Sequence, residues 1–333
     1  MEVKSDKLTM REIILEFPKQ FRVGFKAAKD IKIKKRFDGL IICGMGGSAL
    51  PGAILKILAK NLKINFPFYF HKNYGIPYWA NKKFLIICIS YSGNTEETLS
   101  SFKEAVGKNL PLVVIASGGK LAEEAKKNKI PLSKIPAGFP PRMALGFQFS
   151  ALIKILSSCR LIKTDVKKIL SLENELKPHQ SENNGKKLAQ RLINKIPLVY
   201  SSFHLKDLAR IWKIKFNENS KIPSFFNHFP ELNHNELVGF SSKRISFRNF
   251  HLLMLKDDSD HPRIAKRMEL TAEFVKTKGV GVDVVKIKGK NIIFKIFSNI
   301  LLSDWTSYYL AQNYKVDPVR VEIVEKFKKR LKK

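Results

Sequence analysis

The sequence feature that most constrains the fold is a short apolar segment that runs straight into a loop of small residues and then into a helix. This unit occurs three times in the first half of the chain, at 37–58, 84–106 and 112–125. The three loops read Gly-Met-Gly-Gly-Ser, Ser-Tyr-Ser-Gly-Asn-Thr and Ser-Gly-Gly. Strands that alternate with helices predict a parallel sheet covered on both faces, with binding loops at the carboxyl ends of its strands.

The second half of the chain shows the same organisation without a sequence repeat that can be aligned. Apolar patterns predict strands and helices at 196–200, 205–219, 250–255, 282–287 and 292–310. A polar segment with Pro178 and Gly185 predicts a helix and loop between the halves. We therefore expect an α/β protein of two doubly wound domains, residues 1–160 and 191–333, each a parallel sheet flanked by helices. Residues 161–190 are the expected connecting segment.

The composition is that of a folded protein. Its 44% of hydrophobic residues, with 24 Phe, can supply two cores and excludes intrinsic disorder. No apolar run approaches the ~20 residues of a membrane-spanning helix, and residues 1–11 alternate charges where a signal peptide would be apolar, so we expect a cytoplasmic protein. Cys43, Cys88 and Cys159 are far apart, and the first two lie in predicted buried strands. Neither a disulfide framework nor a zinc site is expected.

The charge balance favours an anionic partner. Lys and Arg number 61 against 29 Asp and Glu, a net charge of +32, which is typical of nucleic-acid-binding proteins. However, the excess is spread along the chain and is mostly Lys. Only residues 326–333 are densely basic, and Phe327 and Leu331 there predict an amphipathic terminal helix. A solvated basic surface that attracts anionic metabolites is therefore favoured over nucleic-acid binding.

The loop at 90–95 has the chemistry of a phosphate site. Small residues let backbone N–H groups approach an anion, and the following helix N-terminus adds a favourable dipole. The hydroxyls of Ser90, Ser92 and Thr95 can converge on one group, and Thr95 is also a candidate N-cap. A plain capped helix is the alternative. The loop at 44–48 has neither the third Gly of a dinucleotide fingerprint nor the Lys-Ser/Thr of a P-loop, which argues against a nucleotide.

Five motifs occur in an order that resembles one enzyme family. They are Gly-Met-Gly-Gly-Ser-Ala at 44–49, the Ser/Thr-rich loop at 90–98, Pro-Pro-Arg at 140–146, Asn-Glu-Asn-Ser-Lys at 217–221 and Pro-Glu-Leu-Asn-His-Asn-Glu at 230–236. Together they resemble the bifunctional phosphoglucose/phosphomannose isomerases, which are built from two sugar isomerase (SIS) domains. The resemblance covers nearly the whole chain.

The resemblance implies a role for each motif. The residues it assigns to the sugar and its phosphate are Gly46, Gly47 and Ser48 for the sugar, and Ser90, Ser92 and Thr95 for the phosphate. It implies that Arg142 supplies a cation near the enediolate oxygen and that Glu218 is the base. It also implies that His234 opens the sugar ring and is contributed by the neighbouring subunit of a homodimer. Glu231 and Glu236 are the rival bases.

The C-terminal cluster also matches the family. Relatives end with a Lys in a Leu-Lys-x-x-Leu-like helix that assists ring opening, and by this pattern Lys328 is the matching residue. A surface charge is the alternative, because other Lys residues surround it. The match breaks just before this helix, where Val319 stands in place of the Thr found in many relatives. If that Thr helps the C2–C3 rotation needed for mannose 6-phosphate, the sequence supports isomerisation of mannose 6-phosphate less strongly than isomerisation of glucose 6-phosphate.

The expected function is therefore aldose–ketose isomerisation through a cis-enediol, without a metal or cofactor. By resemblance, glucose 6-phosphate and mannose 6-phosphate are interconverted with fructose 6-phosphate. The alternative is a noncatalytic SIS-domain protein that senses a phosphosugar, since a sensor needs the phosphate loop but no base. Arg142, Glu218 and His234 together favour the enzyme. Neither a membrane nor a nucleic acid is an expected partner.

Overall fold

The computed structural model describes residues 8–33, 35–163 and 166–331. The described residues form two compact units that divide between Leu176 and Lys177. Each unit is a parallel sheet flanked by helices, which confirms the expected α/β class. Across the described ranges, no helix is long and apolar enough to cross a membrane.

Among the described residues, the first unit has a five-stranded sheet in the order β2-β1-β3-β4-β5, with all neighbours parallel. Its strands are β1 (Gly39–Cys43), β2 (Phe68–His71), β3 (Phe84–Ile89), β4 (Leu112–Ala116) and β5 (Leu132–Lys134). Its helices are α1 (Met10–Glu16), α2 (Gln20–Ala27), α3 (Leu50–Leu58), α4 (Glu96–Gly107), α5 (Gly119–Lys127), α6 (Leu145–Ser158), α7 (Val166–Leu170) and α8 (Leu172–Glu175).

The described part of the second unit has a four-stranded parallel sheet in the order β7-β6-β8-β9. Its strands are β6 (Ile196–Ser202), β7 (Phe225–Phe229), β8 (Phe250–Asp257) and β9 (Gly281–Ile287). Its helices are α9 (Pro178–Arg191), α10 (Lys206–Asn219), α11 (Glu236–Gly239), α12 (Pro262–Lys276), α13 (Ile292–Asn313) and α14 (Glu322–Leu331).

The strand order places the loops at 44–48 and 90–95 side by side. β1 lies between β2 and β3, so the chain reverses its direction of winding there, and Cys43 pairs with Cys88 at the carboxyl ends of β1 and β3. Both cysteines are fully buried and reduced, as expected for small apolar residues. Ligands of open parallel sheets bind at such a switch point. The two predicted binding loops therefore share one crevice.

Residues 161–190, the predicted connecting segment, lie across the boundary between the units. Pro178 and Gly185 fall within α9 and do not form a loop. Pro178 occupies the first turn of the helix, where its missing N–H costs nothing. A Cβ on Gly185 would lie 2.3 Å from the Cβ of Trp305, so glycine is needed for α9 to pack closely on α13.

A partly buried network of side chains connects β8 and β9 of the second sheet with the end of α9. The ring of His251 and the guanidinium of Arg191 contact Asp283 Oδ2 at 2.9 and 2.8 Å. The hydrogen bond with His251, followed by that with Arg191, lowers the pKa of Asp283 to about 2. Because the unfolded value is about 3.9, Asp283 stabilises the fold above that pH, and its contribution is lost as the pH falls toward 2.

We expect Asp283→Asn to lower the free energy of unfolding at pH 7 by about 1 to 2 kcal/mol, allowing for solvent screening. The difference from wild type should shrink as the pH falls from about 5 to 2. Urea unfolding followed by the fluorescence of buried Trp212 and Trp305 measures it. Asp38→Asn is the control, because Asp38 lies 3.9 Å from Lys83 in an exposed pair and should change stability little. Equal effects of both variants would contradict the prediction.

Candidate functional site

The loop at 44–48 is held against the turn that carries Arg142. Gly46 has a φ of +50°, a conformation that favours glycine. A Cβ on Gly47 would lie 2.5 Å from the backbone nitrogen of Arg142, so no side chain fits there. The two glycines therefore serve different purposes. One allows the loop to turn, and the other allows it to approach the Pro141–Met143 turn.

Ser48 and Tyr91 join the two binding loops. The backbone N–H of Tyr91 donates to Ser48 Oγ at 2.9 Å. The Tyr91 hydroxyl donates to the carbonyl of Pro136 and accepts from the N–H of Phe139, both at 2.9 Å. Burial raises the pKa of Tyr91 to about 12, so the phenol stays protonated at neutral pH and keeps both bonds. No local sequence pattern indicates this role of Tyr91, because its partners Pro136 and Phe139 lie on a loop far along the chain.

The loop at 90–95 brings together two of its three predicted phosphate ligands. Ser90 Oγ is fully buried and donates to Thr95 Oγ1 at 3.0 Å. Thr95 occupies the N-cap position of α4, but its side chain makes no capping bond, and its hydroxyl contacts Ser90 instead. Ser92 is exposed, and its Oγ accepts from the N–H of Asn94 at 3.3 Å. Direct phosphate binding by Ser90 stays a prediction, and the observed contact shows that Ser90 orients Thr95.

Gly93 makes this loop compact. Its φ is +68°, and a Cβ there would lie 1.9 Å from the carbonyl oxygen of Gly118. Its own carbonyl accepts from the N–H of Leu121 at 2.9 Å. The loop after β3 is therefore packed directly on the loop after β4. Substitution by any larger residue would displace the hydroxyl groups of the phosphate site.

Arg142 is buried in the same region of the first unit. Arg142 is 1% exposed, and the side chains of two glutamines hold the turn on which it lies. Gln20 donates to the carbonyl of Met143 at 2.8 Å and accepts from the N–H of Gly146 at 3.0 Å. Gln148 donates to the carbonyl of Pro141 at 3.0 Å. These bonds fix the backbone of the turn, and a buried guanidinium on such a turn suits the stabilisation of a negative oxygen.

The predicted base lies in the last turn of a helix in the second unit. Glu218 is half-buried near the end of α10. Its backbone carbonyl accepts from Lys221 Nζ at 2.5 Å. The next residue, Asn219, is fully buried and donates from Nδ2 to Ser307 Oγ at 2.9 Å. These contacts fix the backbone at Glu218 and immediately after it.

The predicted ring-opening residue lies on an anchored loop. His234 is exposed at the end of the 3₁₀ turn Glu231–His234, which follows β7. Glu236 accepts from the Tyr200 hydroxyl and from Asn227 Nδ2, which ties this loop to β6 and β7. Burial and then the Glu236 carboxylate raise the pKa of Tyr200, so Tyr200 remains a donor.

The rival bases have structural partners on the same loop. Both carboxylate oxygens of Glu236 accept hydrogen bonds, as described above. Glu231 Oε1 accepts from Asn235 Nδ2 at 2.8 Å, which closes the loop on itself. These contacts favour an anchoring role for both carboxylates over a role as base.

Lys328 lies on α14, whose side chains are all exposed. The predicted amphipathic helix is present, with Phe327 and Leu331 64% and 55% exposed. Lys332 and Lys333, the end of the predicted basic cluster, lie outside the described residues. The assistance of Lys328 in ring opening stays a prediction.

The part of the chain that the structure describes contains no group of three or more His, Cys, Asp or Glu side chains suited to a metal ion. The groups that could act on a substrate are hydroxyls, a guanidinium, a carboxylate and an imidazole. Such groups bind a phosphate, stabilise an oxyanion and move protons.

Comparison with known proteins identifies close relatives. Residues 181–331 match the bacterial phospho-glucose isomerase C-terminal SIS domain. The bifunctional phosphoglucose/phosphomannose isomerase of Aquifex aeolicus is 37% identical over 297 residues, which cover 89% of this chain and 91% of that protein. The enzyme with the same name from Caldicellulosiruptor bescii is 36% identical over 335 residues, covering 97% and 98%.

A solved structure supports the fold. The C-terminal domain of glucosamine-fructose-6-phosphate aminotransferase from Francisella tularensis superposes with a TM-score of 0.72 at 16% identity. The superposition covers 96% of this chain and 100% of that chain. At this identity the likeness concerns the fold alone. The two parallel sheets correspond to two SIS domains.

Proposed function

The chain belongs to the family of bifunctional phosphoglucose/phosphomannose isomerases, and from this premise we propose that it interconverts glucose 6-phosphate and mannose 6-phosphate with fructose 6-phosphate. The observation that carries the proposal is the close packing of the 44–48 loop on the turn of buried Arg142, beside the hydroxyl-lined loop at 90–95. Phosphate binding needs the hydroxyls, and enediolate formation needs a cation. A sensor would need only the first of these.

The first domain holds the substrate in this proposal. The phosphate lies at the N-terminus of α4, where backbone N–H groups and the hydroxyls of Ser92 and Thr95 donate to its oxygens. Gly46, Gly47 and Ser48 leave room for the sugar chain beside it. Arg142 stabilises the negative oxygen that develops as the enediol forms.

The second domain supplies the proton transfers. His234, with the assistance of Lys328, opens the sugar ring by moving a proton from the hydroxyl at C1 onto the ring oxygen, which breaks the bond between C1 and that oxygen and leaves a carbonyl at C1. Glu218 takes the proton from C2 of the open-chain aldose, and the electrons of that C–H bond form the C1–C2 double bond of the enediol. The oxygen at C1 takes up a proton as the enediol forms. The same carboxyl then returns a proton to C1 while the hydroxyl at C2 gives up its proton and becomes the carbonyl of the ketose. Substrate and product are isomers, so atoms and electrons balance with no further reactant.

We also propose a cytoplasmic homodimer in which His234 acts in the site of the neighbouring subunit. The surface around His234 supports this arrangement. β7 is an edge strand of its sheet, and Phe225 and Phe226 on it are 55% and 37% exposed. Val238, just after the His234 loop, is 66% exposed. Exposed apolar side chains grouped at a sheet edge are typical of protein–protein interaction sites.

A coupled assay tests the function. Purified protein is supplied with glucose 6-phosphate or mannose 6-phosphate in the presence of a chelator, and fructose 6-phosphate is measured. We expect product from both aldoses, with the mannose 6-phosphate activity reported separately because Val319 replaces the Thr of many relatives. Calorimetric binding of either sugar phosphate without turnover would instead establish the noncatalytic sensor.

Substitutions at the phosphate site and at Arg142 should change different kinetic parameters. We expect Arg142→Ala to lower kcat by about 10²- to 10³-fold, since a cation at the enediolate acts mainly in the transition state. Thr95→Ala should raise KM by about tenfold with a smaller change in kcat, because phosphate contacts persist in every bound state. Steady-state kinetics with fructose 6-phosphate measures both, and thermal unfolding checks that each variant is folded. Equal changes of kcat and KM in both variants would contradict these roles.

A further inference from the structure

The helix that carries Glu218 is joined to α13 by a row of buried polar contacts. The pairs of this polar seam are Trp212 Nε1 to Asn299 Oδ1 at 2.7 Å, Lys215 Nζ to Asp304 Oδ1 at 2.6 Å, and Asn219 Nδ2 to Ser307 Oγ at 2.9 Å. All six residues are at most 5% exposed. On α10 they recur at three- and four-residue spacing, so they lie on one face of that helix.

The ion pair in the polar seam contributes little net stability, because burying its two charges has a large desolvation cost. Lys215 and Asp304 each have a side chain that is 1% exposed. Removing both charges from water costs several kcal/mol per ion, and apolar residues of similar volume are often as stabilising or more so. The rest of the buried face of α10, including Ile211 and Phe216, is apolar. Stability alone therefore does not account for a charged pair at this position.

A buried ion pair between two helices can fix the position of one helix relative to the other. Apolar side chains can repack when two helices slide or rotate, and such cores lose uniqueness before they lose stability. A Lys–Asp contact with each partner on a different helix is lost if either helix shifts by a residue. The seam continues to the end of α10, where Ser220 Oγ also donates to the carbonyl of Ser307 at 2.8 Å. The end of α10 is thus held more tightly than packing alone would hold it.

Glu218 lies inside this fixed turn. It follows Lys215 by three residues and immediately precedes Asn219, and its own side chain is half-buried. Catalytic groups must be held to within about 0.5 Å of the productive position. We propose that Lys215 and Asp304 are positioning residues that set the register of α10 on α13 and so place the Glu218 carboxylate. This inference rests on the proposed role of Glu218 as base.

The test replaces the pair with apolar residues of similar size, in the double variant Lys215→Met/Asp304→Leu. We expect its Tm to equal or exceed that of wild type, because the desolvation cost is removed. We expect kcat to fall by about 10- to 100-fold, because the base is misplaced. KM should stay within about threefold, since the phosphate site lies in the other domain. Asp304→Asn alone should lower Tm, because it leaves a buried Lys without its anion.

Trp212→Phe is the matched control. It removes the Nε1 bond to Asn299 and part of a buried aromatic ring, at the end of the seam distant from Glu218, and should lower Tm but leave kcat within about threefold of wild type. A folded double variant with wild-type kcat would overturn the proposal. A double variant with a lower Tm and an unchanged kcat would assign the pair to stability and also overturn it.

Hydrogen exchange separates this inference from the assignment of the base. In the double variant, amides in the last turn of α10 should exchange faster, while those near Lys206 should not change. If Glu218→Gln proved fully active, the base assignment would fail, but exchange would still report whether the pair holds the turn. Unchanged exchange in the last turn would overturn the positioning role directly.

Discussion

Replacing Glu218 with Gln is expected to lower kcat for both aldoses by about 10³- to 10⁴-fold, while sugar-phosphate binding stays within about threefold of wild type. Gln keeps the shape and the hydrogen-bonding capacity of the side chain but cannot accept a proton from carbon. The backbone around residue 218 is fixed by Lys221 and Asn219, so the substitution should leave the fold unchanged. Coupled assays give kcat, and calorimetry with fructose 6-phosphate gives the affinity.

The rival carboxylates provide the controls. Glu231→Gln should keep kcat within about threefold, because an amide can still accept from Asn235. Glu236→Gln should lower Tm, since the carboxylate accepts from both Tyr200 and Asn227 and anchors the His234 loop. If Glu218→Gln stayed active while Glu231→Gln or Glu236→Gln lost turnover without losing stability, the base would lie one segment further along the chain. The isomerase assignment would survive that result.

Mixing two inactive variants should restore activity. In the proposed homodimer each site takes Glu218 from one subunit and His234 from the other. A heterodimer of Glu218→Gln and His234→Ala therefore has one doubly altered site and one wild-type site. Random exchange gives about half heterodimers, so the mixture should reach about a quarter of wild-type specific activity.

The complementation needs proof that subunits exchange. Differently tagged variants can be co-purified to show that heterodimers are present, and each variant alone should stay inactive. Demonstrated heterodimers without activity would mean that Glu218 and His234 act within one subunit. A monomer in solution at assay concentration would likewise contradict the dimer.

The sequence predicts most accurately those elements whose structure is determined by a local pattern of residues. The strands at 39–43, 84–89 and 112–116 are fully or nearly buried, and continuous apolar runs identify such strands reliably. The edge strands β2, β5 and β7 were missed. β5 has only three residues, and the other two carry His and exposed aromatic side chains, because one side of an edge strand faces solvent.

Residues that act through distant partners were also missed. Gln20 and Gln148 fix the Arg142 turn, but a Gln within an apolar helix face gives no sign of its acceptor. A Lys three residues before Glu218 gives no sign of burial in the sequence, yet Lys215 is buried against Asp304. Pro178 and Gly185 predicted a helix and a loop, whereas both lie within α9, where Pro178 begins the helix and Gly185 allows it to pack on Trp305. These contacts are set by tertiary structure, which sequence spacing does not encode.

Proton NMR in deuterated water tests the central claim most directly. Wild-type protein is incubated with glucose 6-phosphate, and the hydrogen at C1 of the fructose 6-phosphate product is followed together with total conversion. An enediol formed by Glu218 lets the transferred proton exchange with solvent, so we predict conversion with deuterium in part of the product at C1. Conversion without solvent deuterium at C1 would indicate a direct hydride shift and contradict the mechanism. Binding of the sugar phosphate without any conversion would contradict the enzyme itself.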